Sequence, residues 1–130
     1  MRRGIPQTLQ AGKGTISVHE LSLIQEMMKV VEEQIRAYEV KKVHLVSLSV
    51  GKLMTVVPES LIFCFEILSK GTNLEGAKLE IEEIPVKCRC KDCGEEFLVE
   101  AFSFFCPKCS GINLEQLSGN EFLIHHLEVD

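Results

Sequence analysis

Across residues 21–38 apolar side chains return every third or fourth position, at Leu21, Ile24, Met27 or Met28, Val31, Ile35 and Tyr38, which puts a single apolar stripe on one side of a helix. Residues 43–50 switch to a period of two. Val46, Leu48 and Val50 share one face and Ser47 and Ser49 the other, the pattern of a half-buried strand. Helical spacing resumes after Pro58, a residue suited to a first helical turn, with Leu61, Ile62, Phe65 and Leu68, and Gly71 marks the stop. Two more extended segments follow: in 77–85 Leu79 and Ile81 alternate with Glu80 and Glu82, and in 121–129 Leu123, Leu127 and Val129 fall at even spacing. Residues 1–17, with Gly4, Gln7, Gln10, Gly12, Lys13 and Gly14, carry neither period and read as a mobile N-terminal extension.

This order of elements predicts an α+β fold, a small mixed sheet of about three strands with two helices, closed by the last strand. The stretch before that strand holds paired cysteines and is expected as an inserted zinc-binding ribbon over 87–113. One α/β domain, made of 18–86 and 114–130, should flank it.

Composition narrows the function. A chain of 130 residues has room for one domain and a small module, and 45% hydrophobic with 25% charged residues supports a packed core. The net charge of -5 offers no basic stripe to neutralise phosphates, which argues against nucleic acid. No apolar run approaches the roughly 20 residues of a membrane span, and no apolar signal core follows Arg2 and Arg3. A cytoplasmic protein without a membrane partner is expected, and in a reducing compartment paired C-x-x-C spacing favours metal over disulfides.

Cys90-Lys-Asp-Cys93-Gly and Cys106-Pro-Lys-Cys109-Ser-Gly are two knuckles 12 residues apart, a spacing that sets four thiolates around Zn(II). Gly94 and Gly111 are expected at positive φ, and Pro107 pre-sets the turn of the second knuckle. Four protein ligands leave no open position, so this zinc folds the ribbon and catalyses nothing, and no enzyme activity is expected. Iron in a rubredoxin-like site is the rival metal. Cys64, among Phe63, Phe65 and Leu68, reads as a small buried hydrophobe, and Cys88 lies too close to Cys90 to complete a knuckle.

Val18-His19-Glu20-Leu21 opens the first helix. On residues alone Ser17-x-x-Glu20 is a capping box with His19 in solvent, although an imidazole beside a carboxylate and backbone nitrogens also suits Ni(II) or Cu(II). His44 is placed by alternation on the face of Val46 and Leu48. Adjacent His125 and His126 are placed on opposite faces of their strand.

His19-Glu20, the stretch 51–65 with Pro58-Glu59-Ser60, residues 71–76, both cysteine pairs and the ending Phe122-Leu-Ile-His-His-Leu-Glu128 together resemble the HypA family of hydrogenase nickel-incorporation proteins. The resemblance covers residues 19–129. It implies a nickel metallochaperone that carries Ni(II) as cargo at His19, with the backbone and side chain of Glu20 in support. It also implies delivery to [NiFe] hydrogenase, with urease as a second destination. Implied partners are the accessory GTPase HypB and the hydrogenase large subunit, the chain itself being a monomer or homodimer. Family members begin with a methionine whose amine joins the nickel site, whereas Val18 stands there behind 17 further residues. A start at position 18, read as methionine, is the expected explanation. The alternative function is a zinc-ribbon adaptor for nucleic acid or a protein complex, against which the acidic charge counts.

Overall fold

The computed structural model describes residues 3–10 and 20–130. Its elements are strand β1 (Arg3–Gln10), helix α1 (Glu20–Ala37), β2 (Val43–Gly51), a 3₁₀ turn (Lys52–Met54), α2 (Pro58–Ser69), β3 (Lys78–Ile84), β4 (Lys87–Cys90), β5 (Glu96–Leu98), β6 (Leu114–Ser118) and β7 (Phe122–Val129). They form a four-stranded sheet in the order β1-β7-β2-β3 and a three-stranded sheet in the order β5-β4-β6. The first is mixed, since β2 runs parallel to β3 and antiparallel to β7. Sheet and helices are those expected for the α+β class, with one strand more.

That extra strand is β1, in the segment read as a tail without a strand period. It pairs antiparallel with β7 from Arg3↔Val129 to Gln10↔Leu123, with a register shift between Pro6 and Leu9. An edge strand hydrogen-bonds on one side only, so Pro6 and the irregularity are tolerated there and alternation is not required. Gly4 gives space, because a Cβ on it would stand 2.9 Å from His126 Cε1. Residues 1–2 and 11–17 of the expected extension lie outside the described residues.

One core joins α1, α2, β2 and β7. Leu23, Ile24, Met27, Met28 and Val31 of α1 meet Leu61 and Phe65 of α2, over Val46, Leu48 and Val50 of β2 and Phe122, Ile124, Leu127 and Val129 of β7. The buried stripe of α1 is rotated from the expected one: Leu23 and Met28 are inside, while Leu21 and Tyr38 are exposed.

Two bulges also depart from simple alternation. The β2–β7 register shifts at Ser47/Leu48, so His125 has no partner opposite and the core-facing positions change parity from Phe122 and Ile124 to Leu127 and Val129. Leu123, expected with Leu127 on one face, is on the other. A second shift at Val43/Leu45 removes His44 from the face of Val46 and Leu48. Its Nε2 lies 2.6 Å from Asp130 Oδ1, and this hydrogen bond holds the Asp130 carboxyl below its usual range.

The ribbon extends to Ser118, past the expected limit at 113. Residues Leu114–Ser118, assigned by sequence to the α/β domain, pair antiparallel with β4 from Lys87↔Ser118 to Cys90↔Leu114 and so belong to the ribbon sheet. Its two legs are fastened at the base, where Ser118 Oγ donates to Pro85 O (2.7 Å), Val99 N–H donates to Val86 O, and Leu53 N–H donates to Gly119 O (2.9 Å).

Candidate metal centres

The two knuckles have the same backbone. In the first, Gly94 N–H donates to Cys90 O and Cys90 N–H to Glu95 O; in the second, Ser110 N–H donates to Cys106 O and Cys106 N–H to Gly111 O, all at 2.8 Å. The left-handed residue is thus Gly94 (φ 80°) in one and Ser110 (φ 61°) in the other. Gly111, expected at positive φ, is required for room instead: a Cβ there would lie 3.1 Å from Asp92 Oδ2 and 3.2 Å from Cys109 Sγ.

These turns bring Cys90, Cys93, Cys106 and Cys109 together, with all four sulfurs within 4.8 Å of one another. The Cys90–Cys109 and Cys93–Cys106 separations are both 3.5 Å. Sulfurs at the corners of a tetrahedron about 2.3 Å from its centre stand roughly 3.8 Å apart, so the donor set and its size fit structural zinc. The same four residues were expected from spacing. Cys88 is buried in the ribbon outside this group and Cys64 is half-buried on α2. Spacing did not reveal the support around the cluster, where Asn113 donates to Asp92 Oδ1 (3.4 Å) and Lys91 N–H to Asn113 O (2.9 Å). The one signal was Asp92 standing inside the first knuckle.

Within the cluster the Cys106 and Cys109 thiols differ in acidity. Burial acts to raise Cys106, but the N–H groups of Cys109 and Lys108 and the thiols of Cys93 and Cys109 donate to its sulfur and bring it down to about 7. Cys109 is lowered by the Gly111 N–H, yet its contact with Cys90, burial, and the Cys106 and Cys93 thiols push it up to about 12. Zinc takes thiolates, so loading releases protons and weakens as the pH falls. Competition against a chelator of known proton affinity is expected to give zinc binding at pH 8 tighter than at pH 6 by at least about two orders of magnitude. Equal affinity at the two values would mean that the ligands are not these thiols.

The second expected centre is only half in view. His19 lies outside the described residues. Glu20 is the first residue of α1, and its Oε1 accepts from the N–H of Val57, the residue that caps α2 (3.4 Å). The carboxylate therefore fastens the start of α1 to the turn before α2. His44, His125 and His126 form no metal-sized group with Cys, Asp or Glu among the described residues.

Residues 18–129 match the family described as hydrogenase/urease nickel incorporation, metallochaperone, hypA. Hydrogenase maturation factor HypA of Desulfitobacterium hafniense is 40% identical over 113 residues, spanning 87% of this chain and 99% of that protein. Its counterpart from Dehalococcoides mccartyi is 39% identical over the same length, with 87% and 95% covered. Among solved structures, the solution structure of a HypA protein superposes with a TM-score of 0.66 at 26% identity, over 88% of this chain and 98% of that one. That of the Ni metallochaperone HypA from Helicobacter pylori gives 0.60 at 24% identity, over 84% and 96%, a likeness of fold. By the match over nearly all of its described length, this chain belongs to the HypA family of hydrogenase and urease nickel-incorporation proteins.

Proposed function

We propose that this protein is a nickel metallochaperone that binds Ni(II) through His19 at the head of α1 and delivers it for maturation of [NiFe] hydrogenase, with urease as a second destination. The observation that carries this reading is the family match from residue 18 to 129, which takes in His19-Glu20 as well as both cysteine pairs. Imidazole and backbone nitrogen suit Ni(II), while sulfur in a closed set of four suits Zn(II), so cargo and structural metal sort by donor chemistry. Glu20, through Val57, holds the α1 terminus against α2, and in this reading its backbone and side chain support the nickel held by His19. A site of few ligands exchanges ligands with a partner more readily than a full shell does.

No turnover of substrate is involved. The partners are those of hydrogenase maturation, here the GTPase HypB and the hydrogenase large subunit, and the setting is the cytoplasm. No helix among the described residues is long and apolar enough to cross a membrane. Against the adaptor alternative, in its nucleic-acid form, stands the net charge of -5.

Calorimetric nickel titration of the zinc-loaded protein tests the reading in three forms: the full chain, a chain starting with methionine at position 18, and that shorter chain with His19→Ala. The shorter chain is expected to bind one Ni(II), the full chain to bind it more weakly because an amide replaces the amine at position 18, and the alanine form to lose at least about a hundred-fold in affinity, as loss of a ligand from a small set implies. Equal affinity with and without the imidazole would remove His19 from the site.

A further inference from the structure

Helix α2 carries more apolar surface than its packing uses. Leu61 and Phe65 face the core with Ile62 and Leu68 beside them, so at 3.6 residues per turn the opposite side should be polar. It presents Phe63 and Ile67, 62% and 48% exposed, one turn apart and therefore adjacent on the surface. Half-buried Ser60 and Cys64 lie beside them, and exposed Glu59 and Glu66 run along one flank. Neither glutamate is in an ion pair among the described residues. Val57, 50% exposed, closes the N-terminal end of the stripe, and its N–H is the one that Glu20 holds.

We propose that this stripe is where the nickel-accepting hydrogenase large subunit docks, through an apolar groove edged by Lys or Arg opposite Glu59 and Glu66. The inference rests on the nickel-delivery reading. Val57, Phe63 and Ile67 together offer on the order of 300 Å² of apolar surface, the size of the functional patches found on monomers. A second copy of this chain stacked on the same face would bury about twice that, well short of the roughly 1,200 Å² of a stable interface. An antiparallel stack would also set the two glutamate rows side by side. A brief encounter with a partner of opposite charge agrees with both the area and the charge. Brief docking is also what a delivery protein needs, since it must leave after transfer. Because the stripe ends at Glu20, next in the chain to His19, docking there brings the acceptor to the metal-carrying end.

The test is binding of the full, zinc-loaded chain to the nickel-free large subunit, measured by biolayer interferometry at two salt concentrations. Phe63→Ser with Ile67→Ser is expected to weaken Kd at least ten-fold, and Glu59→Lys with Glu66→Lys to weaken it and flatten its salt dependence. All four side chains point outward, so both double variants should unfold within a few degrees of the parent and take up nickel as it does. Unchanged Kd in both, no binding by the parent, or a parent dimer that the serine pair dissociates would each overturn the docking surface. Nickel uptake by the same parent sample tells the two failures apart: uptake with stripe-independent docking overturns the surface alone, and absent uptake overturns the delivery reading beneath it.

Discussion

Cys106→Ser is expected to strip the protein of zinc and unfold the ribbon from about residue 87 to 118, while the four-stranded sheet and its two helices stay folded. The reason lies in what the ribbon buries. Its buried side chains are Cys88, Cys90 and Cys106, with Val86 at its base; two of them are metal ligands, and none belongs to the main core. Leu98, Phe102, Phe104, Phe105 and Ile112 are exposed and add nothing to a ribbon interior. A unit of this size cannot offset the chain entropy of folding by burial alone. Metal binding replaces the missing core, at about 10–16 kcal/mol in comparable small zinc peptides. Serine offers no thiolate, whereas the Cys106 thiol is brought down to about 7 by the N–H groups and thiols around its sulfur. Zinc content by elemental analysis should fall from one to near zero, and hydrogen exchange should lose protection in β4, β5 and β6 but not in β2 and β7. Full zinc occupancy in the serine variant, or melting of both sheets together, would show that the ribbon is held by something other than this cluster.

What the sequence could and could not show follows from how local each signal is. The two helices, β2, β3 and the four ligands are each specified within a few residues, by a period or by a spacing, and all appear where those signals place them. Features made by contacts distant in the chain left no such trace. The bulge at His125 changes which residues face inward, and nothing in Phe122-Leu-Ile-His-His-Leu-Glu-Val says where the parity switches; it is fixed by pairing with β2 and β1. Strand β6 looks like connecting chain until β4 pairs with it. Strand β1 has Gly4 and Pro6 and becomes a strand by lying along β7. In the second knuckle the glycine marks a tight space and not a left-handed turn, which Ser110 takes instead. As for the nickel end, His19-Glu20 was legible only through likeness to a family, because a two-residue motif has no period and its alternative as a capped helix start is physically sound.

Gly51→Ala is the substitution outside the cluster from which the largest loss of stability is expected. Gly51 has φ -70° and ψ 144°, an ordinary extended conformation open to alanine, so its backbone does not require glycine. Space does. A Cβ there would stand 2.0 Å from Gly119 O, 2.1 Å from Gly119 C and 2.6 Å from Asn120 N, all backbone atoms that no rotamer change can move aside. To make room, the end of β2 must separate from the 119–121 segment. That lengthens the Gly51 N–H to Glu121 O bond (2.7 Å) and the Leu53 N–H to Gly119 O bond (2.9 Å) together. Gly119 has no more room for a side chain than Gly51, for it sits at φ 123° and a Cβ on it would stand 2.9 Å from Val86. Overpacking of about 1–3 kcal/mol plus two weakened hydrogen bonds at about 1 kcal/mol each gives a loss of roughly 3–5 kcal/mol, a large part of a typical domain's stability. Gly76→Ala is the contrast, because Gly76 has φ 81° with nothing within 4 Å, so only conformational strain of about 1 kcal/mol is expected there. Urea denaturation of both variants in the zinc-loaded form separates the two causes. If the two midpoints fall equally, the close approach of Gly51 to Gly119 does not exist in solution.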